Sequence, residues 1–195
     1  MRTAKVQRNT KETEILLSLN VDGRGEYSID TGCGFLNHML ELFARHGRFD
    51  LSIRCCGDTQ VDYHHTTEDI GIALGTAFAQ ALGDKRGICR YGSFLLPMDE
   101  ALLLCALDIS GRCCLNYEVQ LPAAKVGDFD TELAEEFLLG MCRSMGLTLH
   151  LRQLSGRNTH HIIEAMFKAL GRALSAACAV DQDFADEIPS TKGIL

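Results

Sequence analysis

No run of this chain is apolar for the roughly 20 residues that a membrane-spanning helix needs. We expect no membrane partner. An excess of positive charge is also missing: 19 Lys and Arg stand against 26 Asp and Glu, for a formal net charge of −7. General nucleic-acid binding needs a basic surface that displaces counterions, so we expect no nucleic-acid partner. A local basic pocket for a small anion remains open. The start, Met1-Arg2-Thr3-Ala4-Lys5, lacks the apolar core of a signal peptide, and we expect a cytoplasmic protein. Cys-x-x-Cys spacing is absent among the nine cysteines. The chain is long for a disulfide scaffold, and the cytosol keeps thiols reduced. The cysteines are therefore read as small buried or half-buried apolar residues with no assigned role.

What is present is ordinary in bulk and unusual in one place. The 195 residues are 46% hydrophobic and 23% charged, which suits one globular domain with a sizeable core. The stretch Asp62-Tyr63-His64-His65-Thr66-Thr67-Glu68-Asp69 leads into an apolar helix pattern. Its arrangement returns as His160-His161-Ile162-Ile163-Glu164. Of seven histidines, these two copies hold four: His64, His65, His160 and His161. Histidine is the commonest neutral metal ligand near pH 7.

Periodicity places these motifs. Val6 to Asn20 reads as extended, Glu26 to Thr31 as a second strand and Phe35 to His46 as a helix ended by Gly47. Phe49 to Cys55 alternates as a strand, and His64 to Leu82 is helical. In the second half, Arg90 to Met98, Ala101 to Ser110 and Cys113 to Leu121 read as strands. Asp130 to Met145 is a helix, Leu147 to Leu154 a strand and Asn158 to Ala179 a long helix. Asp181 to Leu195 is a polar tail. Each half runs strands, helix, strand, then a helix opening on the His-His motif. This predicts one α+β domain over residues 1–195, with pseudo-repeats of about 1–90 and 91–195 and helices packed on sheets.

On a helix, residues i, i+3 and i+4 share a face, so Glu68 lies beside one of its two histidines. Adjacent histidines diverge by about 100° and do not readily hold one ion. Each pair is therefore expected to serve two metals. His38, in the first turn of its helix, and His150, on the strand before the second motif, complete the set. His38, His64, His65, His150, His160 and His161 with Glu68 and Glu164 then give each of two ions three imidazoles and one carboxylate. Mixed nitrogen and carboxylate donors with open positions fit Mn(II) or Fe(II), and zinc at lower coordination. Arg90, Arg112, Lys168 and the tail Ser190-Thr191-Lys192 are candidates for an anion, as guanidinium forks and a point charge suit phosphate. From the residues alone, a binuclear metallohydrolase and a metal-storage shell remain alternatives to a lyase.

The motifs Arg8-Asn9-Thr10-Lys11-Glu12-Thr13, Gly34-Phe35-Leu36-Asn37-His38-Met39-Leu40, His64-His65-Thr66-Thr67-Glu68-Asp69, Pro97-Met98-Asp99-Glu100-Ala101, Asp108-Ile109-Ser110-Gly111-Arg112, Leu147-Thr148-Leu149-His150, Asn158-Thr159-His160-His161-Ile162-Ile163-Glu164-Ala165 and Pro189-Ser190-Thr191-Lys192-Gly193 occur in that order. Through them the chain resembles the imidazoleglycerol-phosphate dehydratase family across nearly its whole length. The resemblance implies a ribosomal protein S5 domain 2-like fold of duplicated halves on four-stranded sheets. It implies a lyase of histidine biosynthesis that dehydrates D-erythro-imidazole-glycerol phosphate to imidazole-acetol phosphate with two Mn(II) per active site. The same eight ligand positions are implied, with Glu12 as catalytic acid/base. Arg90, Arg112, Lys168, Ser190 and Lys192 fall at phosphate-binding positions. A homo-oligomer built from trimers, a 24-mer with active sites between subunits, is implied as well. Two residues depart from the family pattern. Asn37 stands where Asp is common and is expected to hydrogen-bond His38 without charge, and Tyr63 stands where Asp or Ala is common.

Overall fold

The first extended stretch is two strands, where the sequence reading expects one. Thr10 Oγ1 accepts hydrogen bonds from the backbone N–H of Glu12 (3.1 Å) and of Thr13 (2.9 Å), closing a tight turn with neither Gly nor Pro. Strands β1 (Thr3–Asn9) and β2 (Thr13–Asn20) pair antiparallel on either side of it. Glu12 therefore stands at a hairpin tip. The computed structural model describes all 195 residues.

After β2 come β3 (Tyr27–Asp30), α1 (Gly34–Gly47), β4 (Asp50–Gly57) and α2 (His64–Leu82). The second half supplies β5 (Tyr91–Met98), β6 (Ala101–Asp108), β7 (Cys114–Glu118), a short hairpin of β8 (Lys125–Val126) and β9 (Phe129–Asp130), α3 (Leu133–Met145), β10 (Thr148–Ser155) and α4 (Thr159–Cys178). The small hairpin takes the start of the helix expected from Asp130. The sheets are four-stranded, with orders β1-β2-β4-β3 and β5-β6-β10-β7. In each, the last pair is parallel and the others antiparallel. The expected α+β architecture is thus present, with the same strand order in both halves.

Alternation sets which sheet face is buried. On β2, Ile15, Leu17 and Leu19 are buried, while Glu14 and Leu16 between them are exposed. Helices α1 and α2 pack on the first sheet, and α3 and α4 on the second. Between the layers α2 meets α3, and α1 meets α4. One cluster of 51 buried residues runs through both halves, so neither half has a core of its own. Phe43, Phe49 and Phe78 stack within it, as do Phe137 and Phe167. Cys33, Cys55, Cys105, Cys142 and Cys178 are buried as expected. Cys56, Cys89, Cys113 and Cys114 are exposed, which corrects the reading that all were at least half-buried. At β4, alternation turns Cys55 inward and Cys56 outward.

The α2–α3 crossing is close enough to need glycine. A Cβ at Gly71 would stand 2.3 Å from the Phe137 carbonyl oxygen, and one at Gly75 2.5 Å from that of Met141. Both obstacles are backbone and cannot rotate away. Gly71→Ala should therefore destabilise the fold by about 2–3 kcal/mol, near the upper end for overpacking. Gly34→Ala, whose Cβ would meet nothing within 4 Å, should be near neutral. Denaturant unfolding of both variants checks this, and equal stability would contradict the crossing.

Candidate metal centre and anion pocket

The second His-His motif opens α4 because Asn158 caps it. Asn158 Oδ1 accepts from the backbone N–H of His160 (3.0 Å) and His161 (3.3 Å). The two imidazoles lie 6.3 Å apart at 77°, so they face different partners. His160 Nε2 lies 3.3 Å from Glu164 Oε2, one turn along the helix. His38 Nε2, from α1, lies 3.8 Å from the same oxygen. These three residues form the one group whose ligand atoms lie within 4.8 Å of one another. Glu164 is buried, and its other oxygen accepts from Lys168 Nζ. Burial works to raise the Glu164 carboxyl, but Lys168 and the facing histidines outweigh it and lower its pKa.

His161 turns the other way. Its Nδ1 lies 2.8 Å from Glu100 Oε2, and its Nε2 lies 3.8 Å from Asp99 Oδ2. Glu100 Oε1 accepts from the backbone N–H of Asn158 (2.7 Å) and Arg157 (3.2 Å). The His161 hydrogen bond, with these N–H groups, pulls the Glu100 carboxyl down to about 2. In return, the hydrogen bond that Glu100 accepts raises the His161 pKa.

The first motif is built likewise. His64 and His65 lie 6.1 Å apart at 79°. His65 Nδ1 is 3.0 Å from Asp58 Oδ2, which raises its pKa, and its Nε2 lies 3.7 Å from Glu12 Oε1. Glu12, at its hairpin tip, thus reaches a histidine of its own chain. Glu68 lies one turn after His64 on the same face of α2.

His150 is not brought to either group. On β10 the neighbouring Leu149 and Leu151 point into the core, so His150 lies on the outer face, in register with Ala106 and Asn116. Near that end of the sheet the tail folds into a pocket. Arg90, Ser110, Arg112, Ser190 and Lys192 line a cavity of about 510 Å³ with Tyr91 and the last residues. The tail is held there by Gly87 N–H to the Glu187 carbonyl (2.8 Å) and by Arg90 Nη1 to the Pro189 carbonyl (2.8 Å). Arg90 also binds Asp108 through Nε at 2.7 Å. With its fork so engaged, Arg90 shapes the pocket, and Arg112 and Lys192 offer the freer charge. Lys168 is not in this pocket. It joins Glu164 and contacts Met98 Sδ at 3.5 Å. The pocket lies at the Tyr91 end of β5 and the Lys168 contact at the Met98 end, about 23 Å apart at ~3.3 Å per residue.

Four residues gain a place that sequence reasoning did not give them. Asp58 and Glu100 hold Nδ1 of His65 and His161, and Asp99 faces Nε2 of His161. Asp58 was legible only as a turn residue, and Asp99 and Glu100 stood in the Pro97-Met98-Asp99-Glu100-Ala101 motif with no role attached. Asp69 is the fourth. It is buried, and accepts from Arg8 Nη2 (2.7 Å) and Thr13 Oγ1 (2.5 Å), pinning the Glu12 hairpin to α2. Asn37 does not serve His38 as expected. Its Oδ1 accepts from Thr31 N–H (2.9 Å) and Thr31 Oγ1 (2.6 Å), which fixes the entry to α1. Tyr63 donates its hydroxyl to Asp128 at 2.9 Å, tying the start of α2 to the small hairpin.

Comparison with known proteins places the chain among relatives of one family. A family model described as imidazoleglycerol-phosphate dehydratase matches residues 31–174. The chain is similar to the imidazoleglycerol-phosphate dehydratase of Desulforamulus reducens, at 59% identity over 194 residues, covering 100% of this chain and 98% of that one. It is as similar to that of Pelobacter propionicus, at 59% identity with 100% and 99% covered. The crystal structure of the Staphylococcus aureus enzyme superposes with a TM-score of 0.84 at 42% identity, covering 92% of this chain and 99% of that one. The Pyrococcus furiosus structure gives 0.84 at 38% identity, covering 97% and 100%.

The two carboxylate–imidazole pairs predict how the metal-free chain titrates. His65 and His161 should both titrate above the ordinary value of 6.5. Folding raises both, so while their carboxylate partners stay ionised the imidazoles contribute stability that is full below the unfolded pKa of about 6.5. That contribution is lost as pH rises through the raised values. Glu100→Gln should move the His161 midpoint downward in an NMR titration of the imidazoles. An unmoved midpoint would remove Glu100 as the cause.

Proposed function

The chain belongs to the imidazoleglycerol-phosphate dehydratase family of hydro-lyases, and we propose that it works as a dimanganese enzyme with active sites between subunits. It acts in histidine biosynthesis. The observation that carries the dimetal reading is the convergence of His38, His160 and Glu164, beside a second His-His helix turned to different partners. Imidazole nitrogen with carboxylate oxygen is a donor set suited to Mn(II). His38, His160 and Glu164 would hold one share of the ions and His64 with Glu68 another. His65, His161 and His150 would add their Nε2 or free nitrogens to complete three imidazoles and one carboxylate per ion. When bound, the metal pair supplies Lewis acidity and a template for the substrate imidazole.

The chain's own groups do the rest. Glu12 takes the proton from the side-chain carbon of imidazoleglycerol phosphate and delivers it to the neighbouring hydroxyl. The C–H electron pair becomes the new carbon–carbon double bond as the C–O bond breaks, and water leaves. The resulting enol relaxes to the ketone, imidazole-acetol phosphate. Arg112, Lys192 and Ser190, with Arg90 behind them, hold the phosphate and fix the orientation of the reacting carbons.

Distance supports the intersubunit reading. Imidazole and phosphate of this substrate are joined through three carbons and lie within about 10 Å, whereas the pocket and the Lys168 end of β5 are about 23 Å apart in one chain. One subunit's pocket therefore serves another's metal ligands. His150, on the outer face, would be given to a neighbour, and Lys168 would meet phosphate only across that boundary. We read the assembly as built from trimers into a 24-mer, located in the cytoplasm. No helix is long and apolar enough to cross a membrane. Within the single domain, the pseudo-repeats are taken as 1–90 and 91–195.

The manganese-loaded protein incubated with imidazoleglycerol phosphate should yield the enolisable ketone, and no product under any metal loading would refute the dehydratase. Glu12→Gln should keep metal and substrate binding while turnover falls by about 100-fold or more. His161→Ala should lower bound manganese, measured by elemental analysis of the purified assembly. Full metal content would count against the ligand set.

A further inference from the structure

The two halves can be laid on each other through their strands. Strands β2 and β6 each have eight residues and follow a hairpin, so Glu12 and Glu100, each just before its strand, occupy the same place. Strands β4 and β10 also have eight residues, but β10 carries a bulge between Gln153 and Ser155, so the residue after the strand is Asp58 in one half and Gly156 in the other, with Arg157 opposite Glu100 in register. His65 and His161 match as the second histidines of their helices. In the second half the hairpin-tip carboxylate Glu100 holds His161 Nδ1 at 2.8 Å. Gly156 has no side chain and Arg157 has no side-chain acceptor, so neither serves that purpose. In the first half Asp58 holds His65 Nδ1, with its oxygens at 3.0 and 3.2 Å. The hairpin-tip Glu12 is left on the Nε2 side, 3.7 Å away, with 52% of its side chain exposed.

We propose that Asp58 is a positioning residue that holds Nδ1–H of His65, leaves its Nε2 free, and so releases Glu12 from the duty that Glu100 performs in the other half. This rests on the reading of Glu12 as the acid/base. The exchange is within reach: Asp58 N–H donates to the Glu12 carbonyl at 3.0 Å, so the residues are neighbours across the sheet. The hairpin backbone is pinned through Asp69, leaving the Glu12 side chain as the part able to swing. Without Asp58, Glu12 becomes the nearest acceptor for His65 Nδ1–H. It would then sit as Glu100 does, held on an imidazole and withdrawn from substrate.

The test uses the full-length protein. Side-chain ¹⁵N NMR of metal-free wild type should show His65 as the Nδ1–H tautomer. Asp58→Ala, loaded with manganese, should lose at least about tenfold in kcat with KM for imidazoleglycerol phosphate within about twofold. Its crystal structure should show Glu12 on His65 Nδ1. Asp58→Asn keeps an acceptor oxygen and should restore kcat to within about threefold of wild type with the Nδ1–H tautomer retained. It also decides the matter if the alanine variant does not fold. Wild-type kcat in Asp58→Ala would overturn the proposal. So would equal losses in both variants with an unchanged tautomer, which assigns Asp58 to the fold alone. Turnover retained by Glu12→Gln would instead remove the acid/base reading, while the tautomer measurement, made without substrate, still reports on Asp58.

Discussion

Successive residues of an α-helix are turned about 100° from each other, and that rotation governs what a His-His pair can hold. The imidazole planes stand at 79° in the first pair and 77° in the second. One ring of the second pair therefore joins a buried carboxylate within the chain, while the other is presented outward on a carboxylate hinge. A pair at a helix start cannot chelate one ion, but it can belong to two. Everything else in the site follows from supplying each divergent ring with its own partners: Glu164 and His38 for His160, Glu100 for His161, Asp58 for His65.

Convergence within the chain depends on the crossing of the halves. His38 lies on α1 of the first half and His160 with Glu164 on α4 of the second, and those helices pack directly. At the other crossing, backbone meets backbone where Gly71 and Gly75 face α3. The shared core is thus what positions the cluster, and the halves could not be separated without dispersing the ligands. They also differ at matching positions. The fifth residue of α1 is His38, where the fifth of α3 is Phe137. The third residue of β10 is His150, where the third of β4 is Ser52. Each half contributes three candidate histidines, but the third comes from a helix in one and from an outer sheet face in the other.

Much of this was legible in the sequence because it is local. Helix α2 runs over His64–Leu82 as expected, and α4 spans Thr159–Cys178 where Asn158 to Ala179 was expected, since the apolar period acts within a few residues. Arg90, Arg112, Ser190 and Lys192 do meet in one pocket. What was not legible depends on direction or on distant partners. The turn at Thr10 uses a hydroxyl in place of Gly or Pro, so no turn signal marked it. The face that His150 takes follows from β10 lying with Leu149 and Leu151 inward, which needs the sheet. Lys168 was legible one turn after Glu164, but not that the buried carboxylate keeps it from the pocket, and Asn37 was drawn to Thr31 by the need to close the entry to α1.

The carboxylates around the imidazoles do two things that pull in opposite directions. Asp58 and Glu100 raise the proton affinity of His65 and His161, which makes a proton a stronger competitor for the ring. They also hold Nδ1, so that the nitrogen left open is always Nε2, and a ring held in that way loses little freedom when a cation arrives. Raised basicity favours a cation as much as a proton, and near neutral pH the cation need displace only one. The second half achieves this with Glu100 of its hairpin tip and keeps Asp99 of the same tip on the Nε2 side of His161, 3.8 Å away. The first half recruits Asp58 from beyond β4, which leaves Glu12 of its hairpin tip as the carboxylate on the Nε2 side of His65. Each half thus gives its outward imidazole one carboxylate that holds Nδ1 and another beside Nε2, drawn from different places in the chain, and the acid/base expected at Glu12 is the Nε2-side carboxylate of the first half.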